Sequence, residues 1–168
     1  YAATQRFTKA EEYYLRALNI RERLATDNPE AYELDVARTL NNLALLYSDM
    51  QRFNESEEYY LRALSIKERL ATDNPEAYEP DVAHTLNNLA SLYKDTQRFN
   101  KAEEYCLHVL AICERLAIDN PEAYEAELAQ TLNNLAILYD ETQRYHKEEE
   151  CFARALEVLE RLASAHPE

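Results

Sequence analysis

Apolar residues in this chain fall at intervals of three and four, stop, and begin again. From residue 80 they are Val82, Ala83, Leu86, Leu89, Ala90, Leu92 and Tyr93. That spacing lines one face of a helix and predicts one over residues 80–95. Pro80 suits its first turn, where the missing N–H has no intrahelical partner to lose. Thr96-Gln97-Arg98-Phe99 breaks the pattern. A second run, Ala102, Tyr105, Cys106, Val109, Leu110, Ile112, Cys113 and Leu116, predicts a second helix ending near Ile118, before Asn120-Pro121. Asn100 with Glu103 has the form of a capping box, as do Thr8 with Glu11 and Asn54 with Glu57. Glu12 with Arg16, Glu58 with Arg62 and Glu150 with Arg154 fall four apart and read as ion pairs along solvated helix faces.

The hairpin recurs. Thr-Leu-Asn-Asn-Leu-Ala appears with its first leucine at Leu40, Leu86 and Leu132, a period of 46 residues. Asn-Pro-Glu-Ala-Tyr-Glu returns in step at Asn28, Asn74 and Asn120, and Gln-Arg-Phe at Gln5, Gln51 and Gln97, becoming Gln-Arg-Tyr at Gln143. Such a period marks a stacked repeat, in which each hairpin buries its second apolar stripe against a neighbour. The expected division is a partial repeat at 1–33 holding only a second helix (about 8–25), then repeats at 34–79, 80–125 and 126–168. Small residues stand where helices should cross closely: Ala44, Ala90 and Ala136 on first helices, and Ala10, Ser56 and Ala102 on second helices. Glu148 takes that last position in the final repeat, and should either turn to solvent or pair with Lys147 or Arg154.

Composition narrows the chemistry. The 168 residues contain no glycine, so phosphate-cradling loops, dinucleotide fingerprints and nucleophile elbows have no basis here. No enzyme is expected, and no cofactor. A net charge of −14 makes nucleic acid a poor partner. Cys106, Cys113 and Cys151 lack metal-ligand spacing and stand where tyrosines stand in other repeats or on apolar stripes. They read as small core residues in a reducing, cytoplasmic setting. His108, His146 and His166 have no ligand spacing either and His84 stands alone, so no metal site is expected. No apolar run approaches the roughly 18 residues of a membrane span. The chain opens in mid-phrase at Tyr1, as a fragment of a longer array would.

The phrase Leu40, Leu43-Ala44, Tyr47, repeated at Leu86, Leu89-Ala90, Tyr93 and at Leu132, Leu135-Ala136, Tyr139, resembles the first helix of tetratricopeptide repeats. Ser56, Tyr60 and Ala63 match the small-aromatic-small pattern of its second helix. The usual period is about 34 residues. The longer one here, with Leu-Asn-Asn-Leu-Ala, looks like the long-helix subgroup typified by kinesin light chains. The family's turn glycine is replaced within Gln-Arg-Phe. The resemblance implies an all-α, right-handed superhelix of helical hairpins, with first helices lining a concave groove that binds a peptide or a partner's helix.

By that alignment the groove carries Arg38, Asn41, Leu45 and Ser48, then His84, Asn87, Ser91 and Lys94, then Gln130, Asn133, Ile137 and Asp140. These positions vary between repeats while the apolar phrase beside them does not. Asn41, Asn87 and Asn133 form a ladder whose amides can both donate to and accept from a peptide backbone. Alternatively the asparagines, with Asn42, Asn88 and Asn134, join neighbouring first helices. A clamp of Lys and Arg for a terminal carboxylate, used by some family members, is not expected: Asn41, Leu45, Asn88, Gln130 and Asn134 fill its positions and only Asn88 suits it. The expected function is a non-catalytic protein-interaction scaffold, its ligand a protein or peptide. The alternative is a structural spacer that self-associates through exposed array ends.

Overall fold

The computed structural model describes residues 2–165, with side chains from Arg6 onward; Tyr1 and His166 lie outside the described residues. Among them run seven helices: α1 (Ala2–Asp27), α2 (Pro29–Asp49), α3 (Phe53–Asp73), α4 (Pro75–Asp95), α5 (Phe99–Asp119), α6 (Pro121–Glu141) and α7 (Tyr145–Ala165). The fold is the all-α helical-hairpin type expected. First helices are α2, α4 and α6; second helices are α1, α3, α5 and α7. Two compact units, Tyr1–Asn88 and Leu89–Glu168, divide within α4.

The helices are longer than the apolar pattern suggests, because Asn-Pro-Glu-Ala-Tyr-Glu is helical. The Asn28, Asn74 and Asn120 side chains accept the backbone N–H groups of Ala31, Ala77 and Ala123 at 3.3–3.4 Å. Proline follows each asparagine at the first helical position, pre-set for it. One asparagine thus both stops a second helix and starts the next first helix. Pro80 is consequently inside α4, not in its first turn.

The expected capping boxes do not form. α3 and α5 begin after Arg52 and Arg98 with no side-chain cap bond. In α1 the Gln5-Arg6-Phe7 tripeptide is simply helical. Elsewhere that tripeptide turns the chain: Gln51, Gln97 and Gln143 adopt left-handed backbone, with φ 57–58°. Gln51 N–H donates to Ser48 O and Arg52 N–H to Tyr47 O, both at 2.8 Å. This is the helix-ending Schellman pattern usually completed by glycine, with glutamine in glycine's place.

The glutamates read as caps work at longer range. Glu11 accepts the Tyr47 hydroxyl at 3.0 Å and Arg52 at 2.8 Å. In the second unit Glu103 accepts Tyr139 at 3.0 Å and Arg144 at 2.5 Å. Each arginine also lies over its tyrosine ring, 4.3 Å for Arg52 on Tyr47 and 4.6 Å for Arg144 on Tyr139. A turn, a first helix and the preceding second helix are held together by three side chains. Likewise Arg62 and Arg154 do not pair along their own helices. They reach Glu22 and Glu114 on the preceding second helix, tying successive second helices together.

In the first unit, Leu18, Val36, Leu40, Leu43, Tyr47 and Ala63 form a continuous core, with Tyr59 tilted against Tyr47 at 5.3 Å between ring centroids. In the second, Tyr93 and Tyr105 make the same contact at 5.2 Å, and Leu89, Val109, Leu132, Leu135 and Ala136 are buried. The three cysteines are buried and unpaired. Burial pushes the Cys106 and Cys113 thiols up to about 11, so they stay protonated and poorly nucleophilic. Glu148 is half-buried; Lys147 pairs with Glu103 and Arg154 with Glu114, so neither expected partner is directed to it.

Candidate functional site

The candidate residues recur at steps of three, four and three along each first helix, which places them on one flank, beside the stripe that faces the core. On α2 this flank is uneven. Arg38 is exposed and Leu45 49% exposed, but Asn41 is only 5% exposed. The Asn41 amide oxygen accepts from Thr85 Oγ1 and from Asn88 Nδ2, both at 3.3 Å. Asn41 is therefore occupied in joining α2 to α4 within the first unit. Asn87 and Asn133 are half-buried, with Asn42 exposed and Asn88 and Asn134 half-buried.

Arg38 forms an ion pair with Asp81 at 3.4 Å. On α4, His84 and Ser91 are exposed and Asn87 and Lys94 half-buried. Lys94 reaches Glu141 at 3.8 Å in the second unit. On α6, Gln130 and Asp140 are exposed and Ile137 is 45% exposed. Gln130 Nε2 donates to Asn134 Oδ1 at 3.1 Å, one turn further along the same helix. Ser48 is half-buried. The flank thus offers exposed apolar side chains, amides and both signs of charge.

Beneath it lies a polar network that spacing alone did not reveal. Lys67 on α3 is buried, 1% exposed. Its ammonium donates to Thr85 Oγ1 at 2.8 Å and to the Asp81 carbonyl at 3.1 Å, with the Asp81 carboxylate 3.4 Å away. Burial lowers the Lys67 pKa, with Asp81 acting against that shift. Asp81 thus serves Lys67 on its inner side and Arg38 on its outer side, and Thr85 passes the chain of bonds on to Asn41. The arrangement is periodic: Arg21 donates to Thr39, and Cys113 Sγ lies 3.9 Å from Thr131 Oγ1. The legible signal was that Lys67 stands where Cys113 stands, on the apolar stripe of a second helix.

A sequence model described as the tetratricopeptide repeat matches residues 1–69 and 81–161. The chain belongs to the tetratricopeptide repeat family. No curated protein matches it. Among solved structures it resembles the crystal structure of BtubC (BKLC) from P. vanneervenii, with 31% identity and a TM-score of 0.77. The match covers 98% of this chain and 61% of that one, so the chain spans less than two thirds of that protein's length. Tetratricopeptide repeats generally mediate protein–protein interaction. Among the described residues no helix is long and apolar enough to cross a membrane.

Proposed function

We propose that this chain is a non-catalytic protein-interaction scaffold that holds a peptide or helical segment of a partner along the flank of its first helices, the family's concave groove. One observation carries the reading. The columns Arg38/His84/Gln130, Leu45/Ser91/Ile137 and Ser48/Lys94/Asp140 change chemistry from repeat to repeat on solvent-accessible positions, while the buried columns beside them keep the same leucines, alanines and tyrosines. Packing requires the constant columns but tolerates change in the variable ones, which can therefore differ to suit side chains of a ligand. Asn87 and Asn133 supply paired donors and acceptors for its backbone. Asn41 serves the scaffold first, since its oxygen is bound internally.

The test is selection of displayed peptides on the chain, followed by affinity measurement on Asn87→Ala/Asn133→Ala. The double variant should keep its helical signal and lose at least tenfold in affinity. Unchanged affinity would remove the asparagines from the site.

A second reading, a self-stacking spacer, is favoured by α7. Leu156 is 57% exposed where its counterpart Leu110 is 8% exposed, and Phe152 and Leu159 are exposed where Cys106 and Cys113 are buried. Light-scattering mass that climbs with concentration would put that reading ahead. A constant monomer mass supports the scaffold.

A further inference from the structure

The Thr85 hydroxyl has one proton and two acceptors within reach, the Asp81 carbonyl at 3.2 Å and the Asn41 amide oxygen at 3.3 Å. The equivalent threonines sit closer to the backbone. Thr39, which receives Arg21, and Thr131, which lies against Cys113, bond the carbonyl four residues back at 2.7 and 2.9 Å. Lys67 makes the difference. Its ammonium donates to Thr85 Oγ1 at 2.8 Å and also to the Asp81 carbonyl at 3.1 Å. That carbonyl oxygen has two lone pairs. The helix ladder of α4 takes one for the Thr85 N–H, and Lys67 takes the other. The Thr85 hydroxyl proton is thereby turned to Asn41. We infer that Lys67 is a positioning residue of the ligand site: it holds the Asn41 amide with its oxygen inward and its nitrogen toward the flank, as a donor to a backbone carbonyl of the bound segment. The inference rests on the groove reading and deepens it.

Asn88 Nδ2 donates to the same Asn41 oxygen at 3.3 Å, a second contact that an inward oxygen satisfies. An amide held by its oxygen on one side carries its two N–H groups on the other. Arg38 and Leu45, about one turn to either side of Asn41, are exposed, so the flank opens there. Arg38 is a donor too, and this stretch of α2 asks its ligand for oxygen atoms. Without Lys67, Thr85 returns its proton to the Asp81 carbonyl, as Thr39 and Thr131 do. A Thr85 lone pair then faces Asn41. The amide turns over to donate to it, and sets its own oxygen against that of the ligand.

A peptide selected by display on the wild-type chain is the probe, and Lys67→Met is the variant, with circular dichroism and thermal melting verifying its fold. Affinity should fall at least fivefold while stability does not. In an Asn41→Ala background the same substitution should change affinity less than twofold, because the effect runs through the amide. The Asn41 side-chain NH2 signals of the free chain read the orientation directly. Their exchange with water should be at least fivefold faster in wild type than in Lys67→Met, where the nitrogen is bonded to Thr85. Unchanged affinity in Lys67→Met, or an equal loss with and without Asn41, overturns the proposal. The exchange rates need no ligand and so separate this proposal from the groove reading. Equal rates overturn the role of Lys67 even where the peptide binds the flank, and unequal rates uphold it even where affinity survives Asn87→Ala/Asn133→Ala.

Discussion

The Tyr139 hydroxyl donates to Glu103 at 3.0 Å, joining α6 to α5 across a sequence separation of 36 residues. Tyr47 and Glu11 make the same bond at the same separation. Because Arg144 and Lys147 also converge on Glu103, the carboxylate is held below its ordinary range: burial works against this, and the three hydrogen bonds prevail. Near the ordinary carboxylate value the folded state therefore binds fewer protons than the unfolded state. The stabilisation is complete above that value and drains away as pH falls toward the folded pKa. Glu103→Gln should lower stability by about 1–2 kcal/mol at neutral pH and flatten the loss between about pH 5 and pH 3. Denaturant melts of both proteins across that range check it.

Gln97 has a left-handed backbone, a conformation that costs a non-glycine residue about 1–2 kcal/mol. Gln97→Gly should relieve it, offset in part by the extra freedom glycine has when unfolded. The expected net gain is up to about 1 kcal/mol, a rise of a few degrees in Tm. A drop in Tm would show that the glutamine side chain, not its backbone, is what the turn needs.

Pro80 lies inside the continuous helix α4, where a proline has no N–H for the helix ladder and crowds the preceding turn. Ala126 holds the equivalent place in α6. Pro80→Ala should raise stability by about 1–3 kcal/mol, measurable by urea denaturation.

Lys67 is a buried cation at a position where the final repeat has Leu159. Lys67→Met should be neutral or stabilising, since burial disfavours the ammonium, and Asp81, partly exposed, keeps its ion pair with Arg38 and is not left as an uncompensated buried charge. Thr85 would keep its bonds to the Asp81 carbonyl and to Asn41. With its folded pKa lowered, Lys67 costs stability below that value. Wild type should therefore gain on the variant as pH rises toward the ordinary lysine range. Paired thermal melts from pH 7 to about pH 10 read the difference.

Much of this was legible in the residues. The three-and-four spacing placed the hairpins, and Leu43, Ala44 and Tyr47 with their repeats are core as read. Local motifs misled where two meanings share one spelling. Asn100 with Glu103 is spelled like a cap, but Glu103 spends its oxygens on a tyrosine and an arginine of the next turn. Glu58 with Arg62 is spelled like a helix-surface pair, but Arg62 reaches Glu22. Asn41 is spelled like a groove residue, but its amide oxygen is taken up by Thr85 and Asn88 of the next first helix. Such distinctions depend on the neighbouring repeat, which spacing within one helix does not encode.

Ligand binding on the first-helix flank can be read from amide chemical shifts of the chain, followed while a selected peptide is titrated in. Shifts should concentrate at Arg38, His84, Asn87, Ser91, Gln130, Asn133 and Ile137, with second helices α3, α5 and α7 quiet. Shifts centred on the second helices, with Asn87 and Asn133 unmoved, would contradict it.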